Sequence, residues 1–169
     1  MIAEALRERL GLPLLAKDTI KEALGGALGI EDRAGSRRLG GAVFDLVGEL
    51  VGELLAAGVS VIAEGNFTIE TRFLRELPPS RVVQVHVTAP PAVLRERLLE
   101  RDAHRHPVHY DGEAADEIAS SVAAGAWDAL PLDGVLVRVE TEPFPNVAEV
   151  AELVVHAAYG SDPSSSAGT

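Results

Sequence analysis

The sequence predicts an α/β domain with a parallel sheet that is covered by helices on both faces. Short aliphatic runs of strand length alternate with amphipathic segments of helix length along most of the chain. The 169 residues are 47% hydrophobic and 24% charged, which is the size and composition of one globular domain. Cysteine is absent from the sequence, so disulfide frameworks, thiolate nucleophiles and cysteine-ligated zinc sites are excluded.

The spacing of apolar residues and the positions of glycine and proline predict the first elements. Residues 2–10 carry apolar side chains four apart and are followed by Gly11, which predicts an amphipathic helix. The apolar run 12–16 predicts a strand, and Pro13 favours a sheet edge because proline has no N–H to donate. A second helix is predicted from Lys17 to the paired glycines that end at position 26.

The longest helix is predicted over 36–57, after an irregular, Gly-rich stretch at 27–35. Its apolar stripe consists of Leu39, Val43, Val47, Leu50, Val51, Leu54 and Leu55. Four glycines interrupt it, at Gly40, Gly41, Gly48 and Gly52. Each glycine weakens a helix by roughly 1 kcal/mol relative to alanine, so the four favour either close packing or a mobile first turn.

The remaining elements repeat the alternation of strand and helix. Strands are predicted at 59–63, 82–87 and 134–139, and helices at 68–77, 90–102, 113–126 and 147–158. We therefore expect one domain over 1–158 and a disordered Gly/Ser/Pro-rich tail over 159–169.

The charge balance makes a nucleic-acid partner unexpected. Asp and Glu number 26 against 15 Lys and Arg, a net charge of −11, whereas phosphate neutralisation needs a basic face. No apolar run approaches the roughly 20 residues of a membrane span, and charges interrupt the first ten residues, unlike a signal peptide. We expect a cytoplasmic protein without a membrane partner.

Polar residues that follow the predicted strands are the candidate site, because ligands of open parallel sheets bind beyond the carboxyl ends of the strands. Asp18 would accept a proton from a substrate hydroxyl, or else would cap the helix that follows it. Glu64, close to Asn66, would hold Mg²⁺, or else would be an ordinary turn residue. Thr88 and Thr141 follow the later strands.

Arginines supply the candidate cations of the site. Arg97, Arg101 and Arg105 are spaced four apart and suit a clamp on phosphoryl charge, or else a solvated face paired with neighbouring glutamates. Arg33 and Arg37 would suit an anionic acceptor, or else would form a solvated helix start.

The remaining polar and aromatic candidates are weaker. His104, His106 and His109 match no zinc-binding spacing, so we expect no histidine metal site. Trp127 is expected to be a packing residue.

Four stretches of the sequence carry a family resemblance. They read IAEALRERLGLPLLAKDTIKEAL, VIAEGNF, RERLLERDAHRHPVHYD and VRVETEPFPNVAEVAELV. In that order they resemble the segment after the phosphate-binding loop, the second acid-bearing strand end, the arginine-bearing lid, and the last strand and helix of small P-loop kinases of the AAA-type ATPase group. Chloramphenicol phosphotransferase, polynucleotide 5′-kinase and zeta-toxin kinases are relatives by fold. The resemblance covers about residues 2–157.

The resemblance implies a three-layer P-loop-kinase sandwich that uses ATP and Mg²⁺ to phosphorylate a small hydroxylated molecule. Asp18 would be the base or the hydroxyl ligand, and Lys17 would lie with it against the substrate. Glu64 and Asn66 would lie near the Mg²⁺ position, and Thr141 would lie near the adenine. The three arginines Arg97, Arg101 and Arg105 would be lid cations.

The sequence departs from this family at the phosphate-binding loop. No G-x-x-x-x-G-K-[ST] occurs in the chain, and the strand that precedes this loop, central in the family's sheet, is missing as well. We therefore expect an N-terminally truncated sequence, a sheet without its central strand, and a chain that is inactive as written.

Two readings stand against the kinase. The chain would alternatively be a non-catalytic remnant that serves as a binding or interaction module. A dinucleotide-binding oxidoreductase is disfavoured, because no G-x-G-x-x-G follows a predicted strand.

Overall fold

A computed structural model describes residues 2–160 of the chain. Six α-helices and four strands follow one another within that range. They are α1 (Ile2–Leu10), β1 (Leu14–Ala16), α2 (Lys17–Leu28), α3 (Arg33–Ala56), β2 (Ile62–Glu64), β3 (Val83–Thr88), α4 (Pro91–Asp102), α5 (Asp111–Ala123), β4 (Val135–Glu140) and α6 (Val147–Tyr159). A short 3₁₀ helix covers Arg72–Arg75.

The strands form two separate two-stranded parallel sheets. β1 pairs with β2, with Ala16 opposite Glu64, and β3 pairs with β4 over its full length. Within residues 2–160 no ladder joins β2 to β3. The predicted mixed α/β fold with parallel strands is confirmed, and its strands are divided between two sheets, with β2 and β3 unpaired with each other.

One apolar cluster lies between α3 and the first sheet. Its buried members are Leu39, Val43, Val47 and Val51 of α3, together with Val108 from the connection between α4 and α5. Ala63 of β2 packs against this cluster, as does Val61, which directly precedes the strand. The predicted apolar stripe is therefore confirmed for Leu39, Val43, Val47, Val51 and Leu55, whereas Leu50 of that stripe is 38% exposed.

A second apolar cluster lies on the opposite face of the sheets. Leu6 of α1 packs there with Ala151 and Val154 of α6. Ile62 belongs to this cluster, whereas its neighbours Val61 and Ala63 belong to the first one. Side chains alternate across a strand, so the two clusters lie on opposite faces and the fold has three layers.

Ile62 shares its cluster with Val83 and Val85 of β3, and with Val137 of β4. Both sheets therefore pack against the same helix pair, α1 and α6, although they are not hydrogen-bonded to each other.

The predicted irregular stretch at 27–35 is present but is shortened to 29–32, because both flanking helices extend into it. α2 continues to Leu28 and ends at Gly29, whose φ of 64° is accessible to glycine without strain. α3 begins earlier than predicted because the carboxylate of Asp32 accepts the backbone N–H of Gly35.

Two further elements differ from their predicted bounds. The predicted helix at 68–77 is reduced to the 3₁₀ turn, and the predicted strand at 59–63 is displaced to Ile62–Glu64. Tyr159 still belongs to α6, and 161–169 of the predicted tail lie outside the described residues.

Close packing explains one of the four glycines in α3. A Cβ at Gly48 would lie 2.6 Å from Cβ of Phe73, whereas a Cβ at Gly40, Gly41 or Gly52 would meet nothing within 4 Å. Among the described helices, none combines the length and the apolar character that crossing a bilayer requires.

Candidate active site

The register of the first sheet brings the leading candidate residues to one edge. Ala16 lies opposite Glu64, and α2 begins directly after Ala16 with Lys17 and Asp18. Because both strands are parallel, these side chains emerge together at the carboxyl end of the sheet. This is where the sequence predicted them to meet.

Asp18 is the centre of an ion-pair cluster. Its Oδ1 lies 3.2 Å from Nζ of Lys17, and its Oδ2 accepts a hydrogen bond from the guanidinium of Arg105. Burial by itself would raise the pKa of Asp18, but the charges of Lys17 and Arg105 outweigh it and hold the pKa below its usual value. Asp18 is therefore a carboxylate that stays ionised.

The cluster has an aromatic wall. The ammonium of Lys17 lies 5.3 Å from the centroid of the Phe44 ring. Phe67 packs at a tilt against Phe44 and edge to face against Phe73. The side chain of Lys17 is only 11% exposed, so the ring shields the Lys17–Asp18 pair from water on one side.

Glu64 is held differently from Asp18. It is half-buried, and burial together with the negative charge of Asp18 raises its pKa. Among the described residues, no hydrogen-bond donor to its carboxylate is found. Glu64 is thus a carboxylate whose negative charge would be favoured by an added cation.

Asp18 does not cap α2, and that alternative is wrong. The N-cap position is Ala16, and no side chain makes a capping hydrogen bond there. Asp18 lies inside the first turn, where a negative charge still suits the helix dipole. Its carboxylate is turned to Arg105 instead of to the backbone N–H groups.

Arg105 reaches Asp18 from residues 103–110, the connection between α4 and α5. Val108 of this connection is 1% exposed, and its carbonyl accepts a hydrogen bond from the buried hydroxyl of Ser36, at 2.6 Å. Nε2 of His109 lies 3.0 Å from Oε1 of Glu22 on α2.

Arg97 and Thr141 form a second group at the end of the other sheet. Arg97 donates to the hydroxyl of Thr141 at 2.9 Å, to its carbonyl at 2.7 Å and to the carboxylate of Glu142 at 2.7 Å. The Thr141 hydroxyl donates in turn to the carbonyl of Thr88. These contacts hold β3, β4 and α4 together, so both residues carry structural bonds.

The remaining predicted residues are exposed, except for Arg33, which is half-buried. Arg33 and Arg37 both pair with Glu117 of α5, and the hydrogen bond from Arg33, followed by the charge of Arg37, lowers the pKa of Glu117. Asn66 and Arg101 lie at the surface. Glu117 offsets part of the positive charge of Arg33 and Arg37. The two arginines are therefore less suited to bind an anionic acceptor.

The described residues fit Mg²⁺ and ATP unequally. They contain no group of three or more His, Asp or Glu side chains arranged for a metal ion. Magnesium is commonly held by one or two carboxylates together with substrate phosphates, and Glu64 suits that arrangement. The residues do not fit a phosphate cradle. The sequence lacks the Gly-Lys-Ser/Thr loop, and the nearby cations Lys17 and Arg105 both pair with Asp18.

Four residues that contribute to the site escaped the sequence analysis as site residues: Lys21, Glu22, Ser36 and His109. Spacing offered one signal, because positions 18, 21 and 22 share a helix face. The contribution of Ser36 and His109 depends on α3 and on the 103–110 connection, which are distant in sequence.

The fold and the carboxylate pair at the sheet edge place the chain in the class of kinase-like α/β proteins. A crystal structure described as that of a putative kinase from Chloroflexus aurantiacus J-10-fl superimposes with a TM-score of 0.79 and is 30% identical in sequence. The match covers 92% of this chain and 89% of that one, and the chain belongs to the same family as that protein. Neither a family model nor a curated protein matches the sequence.

Proposed function

We propose that the protein is an ATP-dependent phosphotransferase of the P-loop kinase group that phosphorylates a hydroxyl group of a small molecule. The observation that carries the proposal is the position of Asp18, ionised and flanked by Lys17 and Arg105 at the carboxyl end of a parallel sheet. The family likeness to a kinase-like protein supports the same class.

Asp18 would act on the acceptor. One Oδ atom would accept the proton of the acceptor hydroxyl while the hydroxyl oxygen bonds to the γ-phosphorus of ATP. The bond between that phosphorus and the β–γ bridging oxygen would break at the same time, with ADP as the leaving group. Lys17 and Arg105 keep the carboxylate ionised before this transfer. Phe44 and Phe67 exclude water from one side of the pair.

Glu64 would have a separate task. Its raised pKa and missing hydrogen-bond donor among the described residues make it the side chain that gains most from a nearby cation. We assign it the position next to Mg²⁺.

We further propose that the working enzyme has an additional strand between β2 and β3, followed by the phosphate-binding loop. β2 and β3 belong to different sheets, yet Ile62 and Val85 share one apolar cluster. A parallel strand placed between them would pair with both edges at the usual spacing of about 4.8 Å. The intact mass and N-terminal peptide of the protein from its natural source test this: a mass of 17.8 kDa would contradict it.

The function is tested on the protein isolated from its natural source, with labelled ATP and a panel of hydroxylated small molecules. Asp18→Asn should lower kcat by about 10²–10⁴-fold and leave the Kd for Mg·ATP within about twofold, because the base contributes to proton transfer and not to nucleotide binding. Asp45→Asn is the matched control, an exposed carboxylate of α3. Equal losses of turnover and nucleotide affinity in Asp18→Asn would contradict the assigned role.

A non-catalytic binding module is the second candidate. The lack of a Gly-Lys-Ser/Thr loop and the pairing of both site cations with Asp18 favour it. It predicts that Mg·ATP leaves the melting temperature of the natural protein unchanged, whereas binding at 100 times Kd would add about 2.7 kcal/mol of stability.

A further inference from the structure

Residues 103–110, which we call the strap, lie along one face of α2. The α2 residues that meet the strap are Asp18, Glu22 and Gly25, spaced four and three apart. Positions with this spacing share one helix face. The strap is therefore held along more than a full turn of α2.

Two side-chain pairs and one hydrogen bond to the backbone hold the strap. Arg105 pairs with Asp18 at its start, and His109 pairs with Glu22 near its end. Between them the Val108 carbonyl accepts the Ser36 hydroxyl, which itself accepts a hydrogen bond from Lys21 at 2.7 Å.

Steric fit also holds the strap on α2. Val108 is 1% exposed within the α3 cluster, and it packs directly over Gly25. A Cβ at Gly25 would lie 2.5 Å from Cγ2 and 2.9 Å from Cβ of Val108, whereas a Cβ at Gly26 would meet nothing closer than 3.8 Å. The absence of a side chain at Gly25 is therefore a condition for docking.

His109 is the titratable group in this interface. Its side chain is 3% exposed, and the charged groups that face it are Glu22, Asp18 and Lys21 of α2 and Arg105 of the strap itself. When His109 is neutral, its Nε2–H donates to the carboxylate of Glu22.

We propose that the strap docks on α2 as a unit that places Arg105 on Asp18, and that protonation of His109 releases it. Release exposes His109 and removes the Arg105 cation from Asp18. The charge of the candidate active site is in this way coupled to a histidine that does not itself belong to the ion-pair cluster of Asp18.

The direction of the pH effect follows from the linkage between proton binding and docking of the strap. Burial, with the charge of Arg105, lowers the pKa of His109 in the docked strap despite the opposing carboxylates. A released His109 has an ordinary pKa of about 6.5, so the docked form binds fewer protons. Docking is fully favoured above about pH 6.5 and weakens as the pH falls toward the lowered pKa.

Trypsin cleavage at the Arg105–His106 bond reports release, because the docked Arg105 side chain is only 15% exposed. The cleavage rate of the protein is divided by the cleavage rate of a synthetic peptide of residues 101–112 at the same pH. This ratio corrects for the pH dependence of trypsin itself. Between pH 8 and pH 6 the corrected rate should rise by up to about fourfold, since a group of pKa about 6.5 is about three-quarters protonated at pH 6. His109→Gln should abolish this rise, and His104→Gln, at an exposed strap position, should retain it.

A matched glycine pair tests docking itself. Gly25→Ala should raise the corrected cleavage rate at pH 8 by at least about tenfold, the equivalent of a steric cost of about 1.4 kcal/mol, whereas Gly26→Ala should leave it within about twofold. Equal rates for the two variants, or a wild-type rate without pH dependence, would overturn the proposal. If Gly25→Ala does not fold, the pH profile of His109→Gln decides.

The assay contains no nucleotide. A failed phosphotransfer assay therefore leaves this inference standing, and a failed cleavage assay leaves the proposed function standing.

Discussion

At the scale of the residue, two carboxylates at one sheet edge differ because their partners differ. Asp18 and Glu64 are both partly buried, yet the pKa of Asp18 is lowered and that of Glu64 is raised. Lys17 and Arg105 make direct ion pairs with Asp18, whereas at Glu64 burial and the charge of Asp18 outweigh the charges of these two cations. Carboxylates with separated pKa values are typical of acid–base sites.

The coupling between these carboxylates is measurable. In Asp18→Asn the pKa of Glu64 should fall, because the negative charge that raises it is removed and the Lys17 and Arg105 cations remain. Carbon-13 titration of the Glu64 carboxyl by NMR gives the shift. Asp45→Asn serves as the control, and an unchanged or raised Glu64 pKa in Asp18→Asn would show that the two groups do not interact.

The Arg105–Asp18 ion pair should contribute to stability in a pH-dependent way. The folded-state pKa of Asp18 lies below its unfolded value, so its contribution is complete above about pH 4 and is lost as the pH falls through the lowered pKa. Arg105→Gln should cost about 1 kcal/mol at pH 7, since Asp18 is 41% exposed and screened by solvent.

Urea unfolding at several pH values measures that cost. The difference between wild type and Arg105→Gln should shrink below about pH 4. Arg72→Gln, at an exposed i,i+4 pair with Glu76, should cost less than about 0.5 kcal/mol. A constant difference down to pH 2 would mean that Arg105 stabilises the fold by packing and not through Asp18.

At the scale of the element, the glycines of helix α3 are there for two different structural reasons. Periodicity predicts its core-facing stripe, but the sequence does not distinguish a glycine that is needed from one that is tolerated. Gly48 lies against Phe73, and Gly41 faces open space. The difference is set by the 3₁₀ turn at Arg72–Arg75, which packs on α3.

Alanine substitutions separate the two kinds of glycine. Gly48→Ala should destabilise the protein by about 1–3 kcal/mol through overpacking against Phe73. Gly41→Ala should stabilise it by up to about 1 kcal/mol through helix propensity alone. Thermal or urea unfolding of both variants is the measurement, and stabilisation by both would contradict the close contact at Gly48.

At the scale of the whole molecule, the divided sheet is the main structural finding. Hydrogen bonds from Val135 to Val82 and from Thr141 to Thr88 fix which amides of β3 point at β4. In a parallel ladder the alternate amides, of Val83, Val85 and Val87, then point to the other edge. Among the described residues no acceptor for these three amides is found.

Amide exchange should show this edge directly. In the 169-residue chain, the amides of Val83, Val85 and Val87 should exchange at least about tenfold faster than those of Gln84 and His86, because unpaired amides open without breaking a ladder. In a chain that carries the proposed extra strand, all five should be protected. Uniform protection in the 169-residue chain would show that the edge is already covered.

Local sequence patterns were enough to predict the class of fold, most of the apolar stripe of α3 and the candidate edge that carries Lys17, Asp18 and Glu64. Periodicity and the position of polar residues after strands are local properties, and they are sufficient for these features. The missing phosphate-binding loop was equally visible, because it is a matter of residue order.

Which side chains pair with each other depends on the tertiary structure. Arg105 meets Asp18 across 87 residues of chain, Arg37 meets Glu117 across 80, and Arg97 meets Thr141 across 44. The regular spacing of Arg97, Arg101 and Arg105 predicted one clamp, but the structure pairs Arg97 with Thr141 and Arg105 with Asp18. Such pairings depend on how helices pack, and long-range packing leaves no period in the sequence.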